Sequence, residues 1–248
     1  MAKSLFRRTP VPGMPIAEER QLFTGRTNML SRSKGFTLVE IAIVLVIIGL
    51  LLGGILKGQE MITQAKIKNS IADFSGISAA YYGYQDRYRA IPGDDPNAAT
   101  RWTTPAAATS GTGNGIVAGT YNNGGAVCTA AVEACSWWDH LRRAGFVAGN
   151  GVLQPTNAFA GQIGVQTGDG AATPAAVMGG FSGLVVCSAN IPDKVAIAMD
   201  TQMDDGRIAT GTVRGQLQTT PNPTIAAAAA GTEYAETGTN TYAVCRSL

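Results

Sequence analysis

Charge is scarce in this sequence and histidine is nearly absent. Lys, Arg, Asp and Glu make up 15% of the 248 residues, and His140 is the single histidine. With no second histidine and no nucleophile motif beside it, acid–base and nucleophilic catalysis have little to build on. Cys-x-x-Cys does not occur, which weakens zinc-binding and thioredoxin-like readings. The stretch "GTGNG" lacks the full dinucleotide-binding spacing and a flanking strand, so it reads as a loop. No Asn-x-Ser/Thr sequon occurs. No proline lies between Phe36 and Pro92, and from Ile41 to Leu56 there is no charge and no polar side chain beyond glycine. What remains, with a 45% hydrophobic fraction and 31 glycines, is a lightly charged, loop-rich chain of the exported kind.

The few charges are unevenly placed. Residues 1–35 hold seven Lys/Arg against two Asp/Glu, while residues 36–248 hold twelve against fifteen. A basic leader therefore precedes a mildly acidic body, and that body gives no electrostatic case for nucleic-acid binding. Arg26, Arg32 and Lys34 come just before the apolar run, and only Lys57 follows it closely. The positive-inside rule then keeps the N-terminus cytoplasmic and exports the C-terminal body. The leader, with three prolines in "RTPVPGMPIAEER", reads as a disordered targeting segment. It is not an ordinary secretory signal, because the apolar stretch is long and no A-x-A-like site closes it.

Beyond Lys57, Ile67, Ile71, Phe74, Ile77, Tyr81, Tyr84, Tyr88 and Ile91 recur in steps of three and four, which keeps one helix face apolar. One helix from Phe36 to Tyr88 is expected, roughly 80 Å long at 1.5 Å per residue. A domain of this size cannot bury such a rod, so one half needs lipid or other copies. Pro92-Gly93 ends it. Asp95 as N-cap and Pro96 as first residue predict a short helix to Trp102. Residues 103–125 read as a surface loop with at most one short strand. "EACSWWDHLRRAGFV" predicts a helix of about three turns with Trp138, Leu141 and Phe146 inward and Gly149 after its end. Trp102, Trp137 and Trp138 read as core, and His140 as a packing or surface residue. Strands are expected at "QIGVQT", "GLVVCSAN", "KVAIAMD", "RIATGTVRG" and "TYAVCRS", joined tightly at "NIPD" and "TQMDDG". "NPTIAAAAAGTE" reads as a loop or a short Ala-rich helix.

Glu40 is the oddity: a carboxylate just inside an apolar span, where acids cost about 2–3 kcal/mol and usually pair. The stretch Gly35-Phe36-Thr37-Leu38-Val39-Glu40, with basic residues before it and the apolar run after it, resembles the processing site of type IV prepilins and type II secretion pseudopilins. The resemblance covers the leader and the long helix. It implies an α+β pilin-like fold with a leader at 1–35, a transmembrane or filament-core half-helix at 36–56, an amphipathic half at 57–91 and an antiparallel head at 92–248. It further implies cleavage after Gly35 by prepilin peptidase, a membrane aspartic protease, and methylation of the new N-terminus at Phe36. Glu40 would attract the N-terminal amine of a neighbouring copy. Partners would be the peptidase, copies of the chain and related pilins, and an inner-membrane assembly platform. The precursor would sit in the inner membrane, and the product in a surface filament. A pseudopilin or a minor tip pilin has the same N-terminus. A membrane-anchored periplasmic enzyme lacks support from any nucleophile motif or metal cluster, and no cofactor is implied. Gly49, Gly53, Gly54 and Gly58 occupy the region where many relatives carry a helix-breaking proline.

Four cysteines, Cys128, Cys135, Cys187 and Cys245, all fall in the exported part, and an even number suggests two disulfides with three possible pairings. The resemblance implies Cys187–Cys245, tying the C-terminal segment to the head, and with it Cys128–Cys135. Asp200, Asp204 and Asp205 crowd before Gly206. Some heads of this class hold calcium in an acidic loop. The spacing here departs from the EF-hand pattern, and a capped turn with solvated acids accounts for it more simply.

Overall fold

The computed structural model describes residues 35–123, 126–168, 178, 180–225 and 233–248. The leader at 1–34 and the alanine run at 226–232 lie outside the described residues. The chain divides into two units at Leu50/Leu51.

Helix α1 runs Leu38–Tyr88, two residues shorter at its start than the expected Phe36. Every residue of α1 from Leu38 to Lys57 is exposed. Among the described residues it is the one helix long and apolar enough to cross a membrane. Further along, Ile67, Phe74, Ile77, Tyr81 and Tyr84 are buried, at the predicted spacing. The helical period decides which side chains leave water, and burial at about 25 cal/mol per Å² holds this part of α1 to the head.

The head is built on one four-stranded antiparallel sheet in the order β1-β2-β4-β3. The strands are β1 (Ile163–Thr167), β2 (Leu184–Pro192), β3 (Val213–Leu217) and β4 (Thr241–Ser247). Alternation sorts their side chains between two clusters. Val186, Tyr242 and Val244 join α1, Trp137, Trp138 and Leu141 in the main core. Val185, Cys187, Ala243 and Cys245 join Tyr121 and Phe181 in a second one. An α+β layout of a long apolar helix and an antiparallel sheet is the architecture that the sequence predicts.

One expected strand is a helix. "KVAIAMD" lies in α4 (Asp193–Met203). Its buried residues, Asp193, Val195, Ala196, Met199 and Asp200, follow the helical period rather than alternation. Pro192 stands at the N-cap, and Asp193 in the first turn places an acid where the helix dipole favours it. "NIPD" is therefore no hairpin connection. It closes β2, whose register with β4 shifts between Ser188 and Ile191. "RIATGTVRG" also overreaches, since β3 begins only at Val213.

Helix α2 is Ala98–Arg101, starting later than Pro96. Helix α3, Glu133–Arg143, ends at Gly145 rather than Gly149. Gly145 has φ 82°, its N–H donates to Arg142 O, and the Phe146 N–H donates to Leu141 O. That is a Schellman closure, which needs a residue with positive φ. Phe146 is then placed beside Gly83 of α1, where an added Cβ would stand 2.8 Å from the ring. The 103–123 segment has no strand among its described residues, but it is more than surface loop. Val117 and Tyr121 are buried, and the Tyr121 hydroxyl donates to Pro223 O at 2.6 Å.

Candidate processing and assembly site

Gly35, Phe36 and Thr37 precede the helix in non-helical backbone, and all three are exposed. Thr37 and Glu40 then form a reciprocal cap. The Glu40 N–H donates to Thr37 Oγ1 at 3.2 Å, while Glu40 Oε2 accepts the Thr37 N–H at 2.8 Å and its hydroxyl at 2.9 Å. This is the capping box, in which a Thr and a Glu three positions on satisfy two orphan N–H groups of the first turn. The pattern Thr-x-x-Glu was legible in the sequence, and Thr37 is the residue that the sequence reading passed over. Glu40 Oε1 accepts nothing among the described residues, so the carboxylate keeps one oxygen for an outside donor. Phe36, Glu40, Ile41, Ile43 and Val44 line a shallow groove of about 350 Å³ around it.

Residues 30–56, which contain this site, match the family described as the prokaryotic N-terminal methylation motif. The segment carries the signature of type IV pilins and pseudopilins. No curated protein and no solved structure matches the chain. The motif and the apolar helix fit a membrane-anchored pilin-like or pseudopilin precursor, and they point to a structural subunit rather than an enzyme.

The other singled-out residues lie in the head. The structure closes Cys128–Cys135 and Cys187–Cys245 as disulfides. Cys187 and Cys245 are register partners on the two central strands. His140 is fully buried. Its Nδ1 accepts the Gly93 N–H at 2.9 Å, which leaves Nε2 to donate to Thr109 O at 2.8 Å. Burial pushes its pKa down, so it is a neutral packing residue. Asp95 is not the N-cap of α2, a position that Asn97 takes, and it and Asp94 act elsewhere. Asp94 accepts the N–H groups of Gly113, Asn114 and Gly115 and so shapes the loop. Asp95 takes the Tyr84 hydroxyl at 2.7 Å and the Arg101 guanidinium at 2.5 Å, joining the end of α1 to α2. Burial alone would raise the Asp95 pKa, but the bonds from Arg101 and Tyr84 hold it below the usual range.

Asp200, Asp204 and Asp205 present carboxylate oxygens within 4.8 Å of one another. Each is engaged by protein donors. Asp200 accepts from Tyr234 and Gly206, Asp204 from Thr212 and Val213, and Asp205 from Arg207 and Thr210. These bonds set the loop that displaces the start of β3. Asp200 is completely buried, and burial pushes its carboxyl up to about 6. A raised folded-state pKa means that ionised Asp200 costs stability above pH 6, a cost relieved as pH falls toward its unfolded value near 3.8. Asp200→Asn should therefore compare more favourably with the unsubstituted protein at pH 7, in chelator, than near pH 4, because it loses an acceptor for Tyr234 or Gly206 at either pH but escapes the buried charge only at the higher one. Thermal unfolding at the two pH values checks it. Calcium added to the same samples separates the readings: a cation held by the cluster raises the melting temperature of the unsubstituted protein alone.

Proposed function

We propose that the protein is a prepilin, the structural subunit of a type IV pilus-like filament. The observation that carries this reading is the methylation motif set directly before an exposed apolar helix whose first turn holds Glu40. Residues 1–35 act as a cytoplasmic basic leader. Residues 36–56 span the inner membrane and later form the filament core. Residues 57–91 pack against the disulfide-bonded head at 92–248, which faces the periplasm.

Prepilin peptidase cuts between Gly35 and Phe36, where the backbone has not yet entered the helix. A peptidase needs access to the scissile carbonyl, and the cap at Thr37 keeps that bond outside the helical hydrogen-bond ladder. Cleavage creates a positive amine at Phe36, which is then N-methylated. Two copies offset by about one helical turn bring the amine of one to Glu40 Oε1 of the other. In a water-poor surrounding that attraction is strong, and a copy out of register leaves its acid unpaired. On an assembly platform, helix–helix contacts then replace lipid contacts. Gly49, Gly53, Gly54 and Gly58 face open space in the single chain, which leaves room for close approach of neighbours.

The test is co-expression with and without a prepilin peptidase. The expected result is a loss of mass equal to the leader only when the peptidase is present, and none for Gly35→Val. A chain of unchanged mass in both cultures contradicts the processing.

A further inference from the structure

A cleft of about 490 Å³ opens on the head between α2, the end of α3 and the loop after it. Its walls include Trp102, Pro105, Asp139, Arg142, Arg143 and Asn150. None of these residues takes part in processing or in the apolar helix. The size suits a small ligand, since such pockets run from about 300 to 1,000 Å³.

The chemistry of the walls is specific. Trp102 is held in a ring cluster, 5.4 Å from Tyr88 and 6.0 Å from His140 between centroids, and is still partly exposed where it lines the cleft. Its indole and the Pro105 ring give a fixed apolar platform. The two guanidiniums are also fixed. Arg142 binds Gly151 O at 2.7 Å and Ala148 O at 3.4 Å. Arg143 binds Asp139 at 2.7 Å and Ala106 O at 2.9 Å. A guanidinium has five N–H donors, so both keep donors beyond these bonds. Two cations against one carboxylate leave the cleft with excess positive charge. Asn150, exposed on the loop, adds an amide donor and acceptor.

We propose that this cleft binds an acidic saccharide. A pyranose ring has an apolar face that packs on the indole and an edge of hydroxyls that the Asn150 amide can read. A uronic carboxylate matches the planar fork of a pre-positioned guanidinium. The Arg142 and Arg143 bonds that anchor the flanking loops also pre-order the cleft, which lowers the entropy lost on binding. A free anion would not use the platform, and a neutral sugar would leave the cations unmatched.

The three tryptophans provide the measurement. The full chain, in detergent micelles and carrying isotope-labelled tryptophan, gives separate indole N–H signals. Trp137 and Trp138 are buried in the core, but Trp138 lies 5.9 Å below the Arg142 guanidinium and can report on it, so Trp102 senses the cleft directly and Trp137 serves as the internal reference. Titration with digalacturonic acid should move the Trp102 signal saturably and leave that of Trp137 in place. α-1,4-Galactobiose, which has the same linkage and ring configuration with CH2OH in place of each carboxylate, should bind at least about tenfold more weakly. Asn150→Trp fills the mouth of the cleft from an exposed position, and it should abolish the shift while the Trp137 signal stays put. No saturable shift up to about 10 mM, equal binding of the two sugars, or undiminished binding by the filled variant overturns the proposal.

Discussion

Glu40→Ala is expected to reduce incorporation into filaments by roughly tenfold or more, while the precursor stays folded and membrane-bound. Two unit charges 4 Å apart attract by about 4 kcal/mol at an effective dielectric constant of 20, which sets the scale of the lost pairing. The substitution also removes a carboxylate that is costly in lipid, so the unassembled state improves as the assembled one weakens. The capping box makes a finer test possible. Glu40→Gln keeps an oxygen to accept the Thr37 N–H and hydroxyl, so the helix start is preserved, but the charge is gone. Assembly that needs the charge fails in both variants. Assembly that needs only the cap survives in Glu40→Gln. Sheared-filament yield against membrane-bound protein reads the difference.

The second large effect is on the head. Replacing Cys187 and Cys245 by serine should cost about 4 kcal/mol, and the same change at Cys128 and Cys135 only about 2 kcal/mol. The loops differ in length, 58 residues against 7, and the unfolded chain recovers more freedom from the longer one. The longer link also joins the central strands β2 and β4 inside the second core. Against a total stability of about 5–15 kcal/mol, losing it removes much of the margin. Urea unfolding of the two double variants checks the order. Equal midpoints for both, with equal slopes, would count against the loop-length argument.

These effects concern parts that the sequence states with different clarity. The long helix was legible because its two halves use different solvents: an uninterrupted apolar run, then a three-and-four spacing whose members Phe74, Ile77, Tyr81 and Tyr84 are the buried ones. "TYAVCRS" was legible because a short unbroken apolar run, Tyr242 to Cys245, suits a strand covered on both faces. "KVAIAMD" was not, because valine and isoleucine suit either state locally, and the packing of Val195, Ala196 and Met199 beneath the sheet decides for the helix. The 103–123 loop hid its order for a related reason. Its structure is written in the Asp94 carboxylate, distant in sequence from the N–H groups that it gathers. At the N-terminal site, Gly35, Phe36 and Glu40 were visible as residue types and Thr-x-x-Glu as a spacing, whereas the use of one Glu40 oxygen for both Thr37 donors appears only in the cap geometry.

The central claim is that Glu40 meets an amine that does not exist until the leader is removed. Mass spectrometry of protein sheared from cells tests this most directly. The account predicts an N-terminal peptide that begins at Phe36 and carries one methyl group. An uncleaved leader in the sheared fraction, or a terminus at any other residue, would contradict it.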